Sequence, residues 1–259
     1  MDKNTIRFLS QDDVKKCLTM EQAIALMKYS FLQLYHKKAI VPQRFHLNFV
    51  ENNGVQLIKP VYLSEKEQVG IKIISLFKNN PSMGLPLSYA VMLVFDARTG
   101  RPLAIMDGSL LTAIRTGAAS GLATGLLAGK DAEVAAVFGA GVQSWYQLLA
   151  INVVRPIKKV YIFDPSWQKA GAFAAQVERE LSLKAQVPGS EQQLKEADII
   201  CTATTSVVPV FNHGNLKRGV HINAIGAFKP GTREIPSETV CAAKVVVDDK
   251  KACLKVLAT

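Results

Sequence analysis

The spacing of apolar positions differs between the two halves of the chain. Residues 1–113 contain two capped helical segments followed by runs of β-branched and aromatic residues, which is an α+β pattern. Residues 114–259 contain short apolar runs that alternate with helical segments, as expected for strands buried on both faces of a parallel sheet. The pattern predicts two domains, 1–113 and 114–259, and the length of 259 residues agrees with two domains.

Helix caps and β-rich runs define the elements of the first half. Ser10 precedes a short predicted helix, and Thr19 begins a capping-box pattern before a helix predicted over 23–35. Five strands are predicted over 44–50, 55–61, 69–77, 89–96 and 102–106. These strands imply a mixed or antiparallel sheet. The small-residue segment 110–127 is predicted to be a helix that bridges the domains.

The second half follows the alternation of a doubly wound sheet. Strands are predicted over 134–138, 159–163, 198–202, 221–225 and 244–247, with a short one near 185–187. Helices are predicted over 145–154 and 165–181, and Ser190 begins a third. The predicted fold class is therefore α/β, a doubly wound parallel sheet preceded by an α+β domain.

A glycine-rich turn follows the strand predicted over 134–138. Gly139 permits a tight turn out of the strand, and Gly141 lacks the Cβ that would keep a pyrophosphate away from the backbone. Ser144 takes the place of the third small residue, which is a mild departure from the usual pattern. The free amides at the start of the next helix would face the negative charge of a ligand. This arrangement is typical of a Rossmann-type dinucleotide site.

An acidic residue stands at the end of the next predicted strand. Asp164 follows Ser144 by twenty residues, where a carboxylate can accept a hydrogen bond from a ribose 2′-hydroxyl and favour NAD over NADP. In the alternative interpretation the glycines form a plain turn and Asp164 only caps the helix over 165–181. The order of strand, turn, helix, strand and acid favours the cofactor site. The choice between NAD(H) and NADP(H) stays open because Lys169 lies nearby.

The net charge of +10 raises the question of a nucleic-acid partner. Residues 1–113 contain 14 Lys and Arg against 9 Asp and Glu, and residues 114–259 contain 17 against 12. The excess is thus spread evenly, without a basic tail. A positive cleft for small anionic ligands explains it at least as well, so no nucleic-acid partner is expected.

Other compositional features argue against several classes of protein. No apolar run approaches the ~20 residues of a membrane span, and no signal-peptide core follows the start. The four cysteines lack C-x-x-C spacing and the four histidines show no metal spacing, so neither a disulfide framework nor a metal site is expected. A cytoplasmic protein without a membrane partner is expected.

Five motifs, in their order along the chain, resemble those of the ornithine cyclodeaminase/mu-crystallin family over nearly the whole sequence. They occupy 84–86, 96–104, 107–108, 111–120 and 139–143. Members of that family bind NAD(H) or NADP(H) and act on α-amino or α-imino acids as cyclodeaminases, dehydrogenases or ketimine reductases. A few serve chiefly as binding proteins. The resemblance implies an oxidoreductase with a Rossmann-type domain and an N-terminal domain for substrate binding and oligomerisation, assembled as a homodimer.

The resemblance also places three cations at the substrate. Arg44 and Arg115 would bind its carboxylate, and Lys72 would contact the carboxylate or donate a proton to nitrogen, which makes Lys72 and Arg115 the candidate catalytic residues. From the residue pattern alone, Lys72 fits an outward-facing strand lysine at least as well. Arg115 is the only charge in a stretch of small and apolar residues, which favours a functional role. The case for Arg44 depends mostly on the resemblance.

One position departs from the cyclodeaminase pattern. Phe228 stands where cyclodeaminases and some alanine dehydrogenases of the family have an aspartate that serves as acid and base. Phenylalanine cannot transfer a proton, so Phe228 is expected to pack a cyclic imine against the nicotinamide, with ordinary loop packing as the alternative. The favoured function is reduction of α-imino acids such as pyrroline- or piperideine-2-carboxylate. Ornithine cyclodeaminase, alanine dehydrogenase and a binding protein for NAD(P)H and a small ligand remain the alternatives.

The cofactor residues implied by the motifs come from four segments. They are Thr116; Gly139, Gly141, Val142 and Gln143; Asp164; and Thr202, Ala203, Thr204 and Ser206. The last four follow a predicted core strand, where ligands gather in doubly wound sheets, although a plain hydroxyl-rich loop is the alternative. Family members usually continue beyond the equivalent of Leu254, so the resemblance also predicts a fragment or a truncated form.

Overall fold

The computed structural model describes residues 5–227, 231–250 and 253. The chain divides into two compact units, Met1–Thr116 and Gly117–Thr259. The boundary falls inside one helix. The separate roles that the sequence suggests for the two parts of the chain stay a prediction.

The first unit is a mixed, mostly antiparallel sheet with helices. Its elements are β1 (Arg7–Leu9), α1 (Gln11–Cys17), α2 (Met20–Tyr35), β2 (Ala39–Ile40), β3 (Phe45–Phe49), β4 (Gly54–Leu63), β5 (Gln68–Phe77), β6 (Ser88–Asp96), β7 (Pro102–Asp107) and the start of α3 (Gly108–Leu127). The strand order is β1-β7-β6-β5-β4-β2, and β3 also pairs with β4. Only β1 and β7 run parallel. The five predicted strands are confirmed, whereas β1 and β2 are too short to produce a periodic signal.

Both N-terminal helices begin at reciprocal side-chain caps. Ser10 Oγ accepts a hydrogen bond from the Asp13 N–H at 3.2 Å, and the Asp13 carboxylate accepts one from the Ser10 N–H at 2.9 Å. Thr19 and Gln22 form the same capping box before α2. Each box satisfies two amides that would otherwise lack a partner at the first turn. The two predicted helices are therefore confirmed.

Helix α3 starts in close contact with β6. A Cβ on Gly108 would lie 2.9 Å from backbone atoms of β6, so only glycine permits this approach. Ser109 Oγ accepts a hydrogen bond from the Ala90 N–H at 2.9 Å, and Asp107 Oδ1 accepts one from the Leu110 N–H at 2.7 Å. These contacts fix the first turn of α3, and with it the side chains one turn later, relative to the sheet.

The second unit is a five-stranded parallel sheet with helices. Its elements after α3 are β8 (Val134–Phe138), α4 (Val142–Val154), β9 (Lys159–Phe163), α5 (Trp167–Leu181), β10 (Lys184–Gln186), β11 (Ile199–Thr202), β12 (His221–Ala224) and α6 (Ser237–Ala242). The order β10-β9-β8-β11-β12 confirms the predicted α/β fold with a doubly wound parallel sheet. The strand order reverses direction at β8, so the carboxyl ends of β8 and β11 form the switch point where such sheets bind ligands.

The C-terminal end of α3 is capped by an arginine from the second unit. The Arg155 guanidinium donates hydrogen bonds to the carbonyl oxygens of Thr124, Gly125, Ala128 and Gly129 at 2.6–3.1 Å. A cation at a helix C-terminus satisfies carbonyls that have no partner within the helix and interacts favourably with the helix dipole. Arg155 therefore ties the end of α3 to the start of the parallel sheet.

Three expectations for the second unit need correction. The segment 244–247 is not a strand: its valines are exposed, and β12 has no further partner beside it among the described residues. High β propensity does not make a strand without a neighbour to pair with. The helix predicted after Ser190 is a short 3₁₀ helix, Glu191–Glu196. Helix α4 begins at Val142, three residues earlier than predicted, directly after the glycine turn.

The sequence pattern indicated no apolar run long enough to cross a membrane. Helix α3 does have that length and composition over its twenty residues. Nearly half of this apolar stretch of α3 is buried inside the protein. Its first turn is bonded to β6 and its last carbonyls are bonded to Arg155, so we interpret α3 as a core helix.

Candidate functional site

Two lysines lie opposite each other on neighbouring strands of the first unit. Lys59 on β4 pairs with Lys72 on β5, and directly opposed residues of antiparallel strands point to the same face of the sheet. Arg44 directly precedes β3, whose first residue, Phe45, pairs with Ile58. The register therefore brings Arg44 beside Lys59. Both lysines are half-buried and Arg44 is exposed.

Helix α3 adds a hydroxyl and a guanidinium to these cations. Lys72 Nζ donates a hydrogen bond to Thr112 Oγ1 at 3.1 Å, and Arg115 follows Thr112 by three residues, on the same side of the helix. Burial, together with the nearby positive charges of Arg115 and Lys59, lowers the pKa of Lys72 from 10.5 to about 7. Lys72 can therefore gain and lose a proton near neutral pH.

Lys59 was not predicted as a site residue. Burial lowers its pKa, and the nearby guanidinium groups of Arg44 and Arg115 add to this effect. We refer to Arg44, Lys59, Lys72 and Arg115 together as the cation group. Lys59 belongs to none of the recognised motifs. The available signal was the pairing of β4 with β5 around the turn at 64–67, which places it opposite Lys72.

The glycine turn has the geometry that the sequence predicts. Gly139 has a φ of +94°, and a Cβ there would lie 2.8 Å from the Ala203 carbonyl oxygen, so this position requires glycine. Gly141 is the N-cap of α4, and the space that its Cβ would occupy is open. Val142 and Gln143 follow in the first turn of the helix, where amides have no partner within the helix.

Asp164 contacts the glycine turn directly. Its Oδ2 accepts a hydrogen bond from the Ala140 N–H at 2.9 Å, and its Oδ1 accepts one from the Ser166 N–H at 2.9 Å. The N-cap of α5 is Ser166, whose Oγ accepts a hydrogen bond from the Lys169 N–H. Asp164 therefore does more than cap a helix, because it joins the carboxyl ends of β8 and β9.

These features fit a dinucleotide. Gly141 leaves room for a pyrophosphate, α4 points its first amides towards that room, and Asp164 supplies a carboxylate at the end of the adjacent strand. Gln143 Oε1, Ser144 Oγ and both amide atoms of Gln147 are buried without a hydrogen-bond partner in the described part of the chain. Buried polar atoms of this kind normally bind water or a ligand.

A second loop lies next to the glycine turn. Thr202 ends β11, and the loop that follows contains Ala203, Thr204 and Ser206. The Ala203 N–H donates a hydrogen bond to the Phe138 carbonyl oxygen at 3.0 Å. Thr202 is fully buried. This contact places the hydroxyl-rich loop at the switch point of the sheet, beside the end of β8.

Glu234 holds this loop and was not predicted from the sequence. Only 1% of the residue is exposed, and its carboxylate accepts five hydrogen bonds of 2.7–3.2 Å. The donors are the Thr202 and Thr204 hydroxyls and the Thr204, Gly226 and Ala227 N–H groups. One buried carboxylate thus joins the loops after β11 and β12. The sequence offers little signal for it, since it is a lone acid in an irregular segment.

The remaining predicted residues are placed as follows. The Thr116 hydroxyl donates to the Thr112 carbonyl oxygen within α3 at 2.7 Å, and the Ser206 hydroxyl donates to the Val208 carbonyl oxygen. Phe228 lies outside the described residues. Within the described ranges, no three His, Cys, Asp or Glu side chains lie close enough together to hold a metal ion.

The chain matches known enzymes over most of its length. It is 35% identical to the Δ1-pyrroline-2-carboxylate reductase of Bacillus cereus over 249 residues, which cover 95% of this chain and 76% of that protein. Its structure resembles that of Thermococcus litoralis Δ1-pyrroline-2-carboxylate reductase in complex with NADH and L-proline, with a TM-score of 0.91 and 40% identity. That match covers 95% of this chain and 77% of the other.

A second structural relative is an archaeal alanine dehydrogenase dimer with bound NAD. The TM-score is 0.90 and the identity 33%, over 96% of this chain and 76% of the other. The model of the ornithine cyclodeaminase/mu-crystallin family matches residues 4–256. The chain therefore belongs to the ornithine cyclodeaminase/mu-crystallin family, as its motifs predicted.

Proposed function

We propose that this protein is a nicotinamide-dependent oxidoreductase that reduces α-imino acids of the pyrroline- or piperideine-2-carboxylate type. The observation that carries the proposal is the cation group, in which a lysine with a pKa of about 7 lies with two arginines. Guanidinium groups suit a carboxylate, and a lysine that titrates near neutral pH suits proton transfer to an imine nitrogen. The pyrroline-2-carboxylate reductases among the relatives support this substrate class.

The cofactor in this proposal is NAD(H), with NADP(H) as the alternative. The amides of Gly141, Val142 and Gln143 would bind the pyrophosphate, and Gly139 would hold the turn. Asp164 would accept a hydrogen bond from the ribose hydroxyls, which favours NADH. The loop of Thr202, Ala203, Thr204 and Ser206 would line the nicotinamide end, and Thr116 is retained as a further contact. Relatives with bound NADH or NAD support the choice.

The reaction adds a hydride and a proton across a C=N bond. A bound nicotinamide cofactor would supply the hydride in this reaction. Arg115 and Arg44 bind the carboxylate and orient the imine. The Lys72 ammonium donates its proton to the nitrogen, so that the C=N bond becomes a C–N single bond and Lys72 becomes neutral. Its low pKa makes this transfer easy, and the lysine then takes a new proton from water.

Alanine dehydrogenase activity is the second candidate, because a relative of that name is 33% identical over nearly the whole chain. The same residues would then work in reverse, with Lys72 accepting a proton from the amine. Cyclodeamination is disfavoured by Phe228, which cannot act as acid or base. Failure to reduce any imine would instead indicate a binding protein without useful turnover.

The first prediction concerns turnover and its dependence on Arg115. The wild type should oxidise NADH when pyrroline-2-carboxylate is added, and Arg115→Ala should lose about 2–5 kcal/mol of transition-state stabilisation because a charge partner of the carboxylate is removed. The control is Arg179→Ala, which removes an exposed arginine paired with Glu180. The measurement is kcat/KM from NADH absorbance, with NADH affinity followed separately by fluorescence.

The same assay separates the candidate activities. The wild type should release little or no ammonia from ornithine. Ammonia release without imine reduction would make cyclodeaminase the better assignment. An Arg115→Ala variant with wild-type kcat/KM would place the carboxylate elsewhere.

The second prediction is that carboxylate affinity falls as the pH rises through about 7. Below its pKa of about 7 Lys72 is a cation that attracts a carboxylate, and above it Lys72 is neutral. Bound carboxylate raises this pKa, so affinity should fall from about pH 7 up to the pKa of the complex. The probe is pyrrole-2-carboxylate, whose charge is constant over this range.

Lys72→Met should abolish this fall in carboxylate affinity near pH 7, because Met is neutral at every pH. A fall in affinity that persists at higher pH in this variant would belong to Lys59, whose pKa is also lowered by burial. Lys78→Met, in the exposed turn after β5, is the control and should show the same fall in carboxylate affinity as the wild type. Equal pH dependence in Lys72→Met and the wild type would contradict the assignment.

The third prediction is that Glu234→Gln weakens cofactor binding. The glutamine NH2 group would face N–H and O–H groups that now donate hydrogen bonds to the carboxylate. Losing these hydrogen bonds should cost about 1–3 kcal/mol of stability and loosen the segment of Thr202 and Thr204. NADH affinity should fall by about tenfold, with a lower melting temperature. Glu238→Gln, exposed at the start of α6, should change neither. Unchanged NADH affinity in Glu234→Gln would show that the loop does not contact the cofactor.

The fourth prediction is a homodimer formed through the first unit. Phe45, Leu47 and Phe49 alternate along β3 and all three are exposed. Among the strands that the structure describes, β3 pairs with β4 on one edge and has no neighbour on the other. Exposed apolar residues on such an edge strand mark an interaction surface. The dimeric alanine dehydrogenase supports self-association. Sedimentation equilibrium should give twice the 28.2 kDa chain mass.

The matched variants lie on opposite faces of the same strand. Leu47→Glu should shift the protein towards the monomer mass, whereas Asn48→Glu should leave the dimer intact because it points to the other face. A wild-type mass of one chain would contradict the dimer. A cytoplasmic location is part of the same proposal, and cell fractionation would test it.

A further inference from the structure

We infer that Lys59 forms a second anion subsite, and that the preferred substrate is an α-imino acid carrying a second carboxylate. This inference rests on the proposed function, because it names the substrate class of the same site. Arg115, Arg44 and Lys72 keep the roles proposed above at the α-carboxylate and the reacting nitrogen, and Lys59 binds the second carboxylate.

The register of the sheet places Lys59 in the site. Lys59 and Lys72 are directly opposed on β4 and β5, so both side chains leave the same face of the sheet. Arg44 lies beside Lys59 on the other side, because β3 begins with the pair Phe45 and Ile58. The order across the face is therefore Arg44, Lys59, Lys72, and α3 brings Arg115 to the same group.

The charge of this face exceeds what a monocarboxylate needs. One α-carboxylate can be bound by Arg115 and Arg44, with Lys72 at the reacting nitrogen, which leaves Lys59 as a further cation on the same face. Burying an ammonium beside guanidinium groups is unfavourable unless an anion balances it. Within the described residues, the ion pairs of the protein involve other lysines and arginines and none joins Lys59 or Arg44 to an acidic side chain. A second carboxylate on the ligand supplies that balance.

Lys59 has a second conceivable role, which the same experiment separates. As a neighbouring positive charge it lowers the pKa of Lys72, and that effect needs no ligand contact. If this were its only role, removing Lys59 would raise the pKa of Lys72 and shift the pH dependence of carboxylate binding. The relative affinity for mono- and dicarboxylates would then stay the same.

The test uses two planar probes that differ by one carboxylate, pyrrole-2-carboxylate and pyrrole-2,5-dicarboxylate. Dissociation constants are measured by calorimetry on the NADH-loaded wild type, Lys59→Met and Lys59→Arg at one pH. The wild type should bind the dicarboxylate more tightly by about tenfold or more. Lys59→Met, which keeps the length of the side chain, should lose most of this preference, so that its dissociation constants for the two probes become similar. Lys59→Arg should retain the preference, because it keeps the charge.

The outcomes distinguish this inference from the proposed function. Equal affinity of the wild type for both probes, or a dicarboxylate preference that survives in Lys59→Met, would overturn the second subsite while imine reduction could still stand. A wild type that binds neither probe would contradict both. Melting temperatures of the variants establish that they are folded, and a Lys59→Met protein that fails to fold leaves the comparison to Lys59→Gln, for which the same loss is expected.

Discussion

Repulsion between like charges on a half-buried sheet face is the constraint on which the candidate site depends. Lys59 and Lys72 face each other across two strands, and Arg115 lies close to both. Such an arrangement opposes folding locally, so the surrounding structure must hold it in place. The long pairing of β4 with β5 fixes the lysines. The contacts of Gly108 and Ser109 with β6 fix the start of the helix that carries the arginine.

In the second unit, one buried negative charge holds two loops together. Glu234 is almost completely buried, yet each carboxylate oxygen accepts hydrogen bonds from the loops that it joins. A fully satisfied carboxylate is a rigid connector, because displacing either loop would leave the charge without partners. Gly226 contributes to this rigidity, since a Cβ there would lie 2.3 Å from the Thr204 carbonyl oxygen. The hydroxyl-rich loop is therefore ordered before any ligand binds.

The sequence predicted those parts of the molecule whose physical cause is local. The glycine turn and Asp164 lie within one contiguous strand–turn–helix–strand segment, and the capped helices depend on residues three positions apart. Lys59 and Glu234 were not predicted because their roles arise from contacts between residues distant in sequence. For Lys59 the contact is set by the strand register, and for Glu234 it joins the loops after β11 and β12. The strand expected over 244–247 was wrong for a related reason, because a strand also requires a partner.

Repulsion within the cation group couples substrate binding to the stability of the folded protein. A cation group without a bound anion pays for repulsion and desolvation, and a ligand carboxylate relieves both. Substrate should therefore bind to the folded protein with a free energy that includes this relief, and the folded state is stabilised more as the substrate concentration rises above the dissociation constant. Lys72 adds a second coupling, since the charge that attracts the carboxylate is also the proton that reaches the imine nitrogen. Tight binding and easy proton transfer thus place opposing demands on one pKa, and a value near 7 satisfies both at neutral pH.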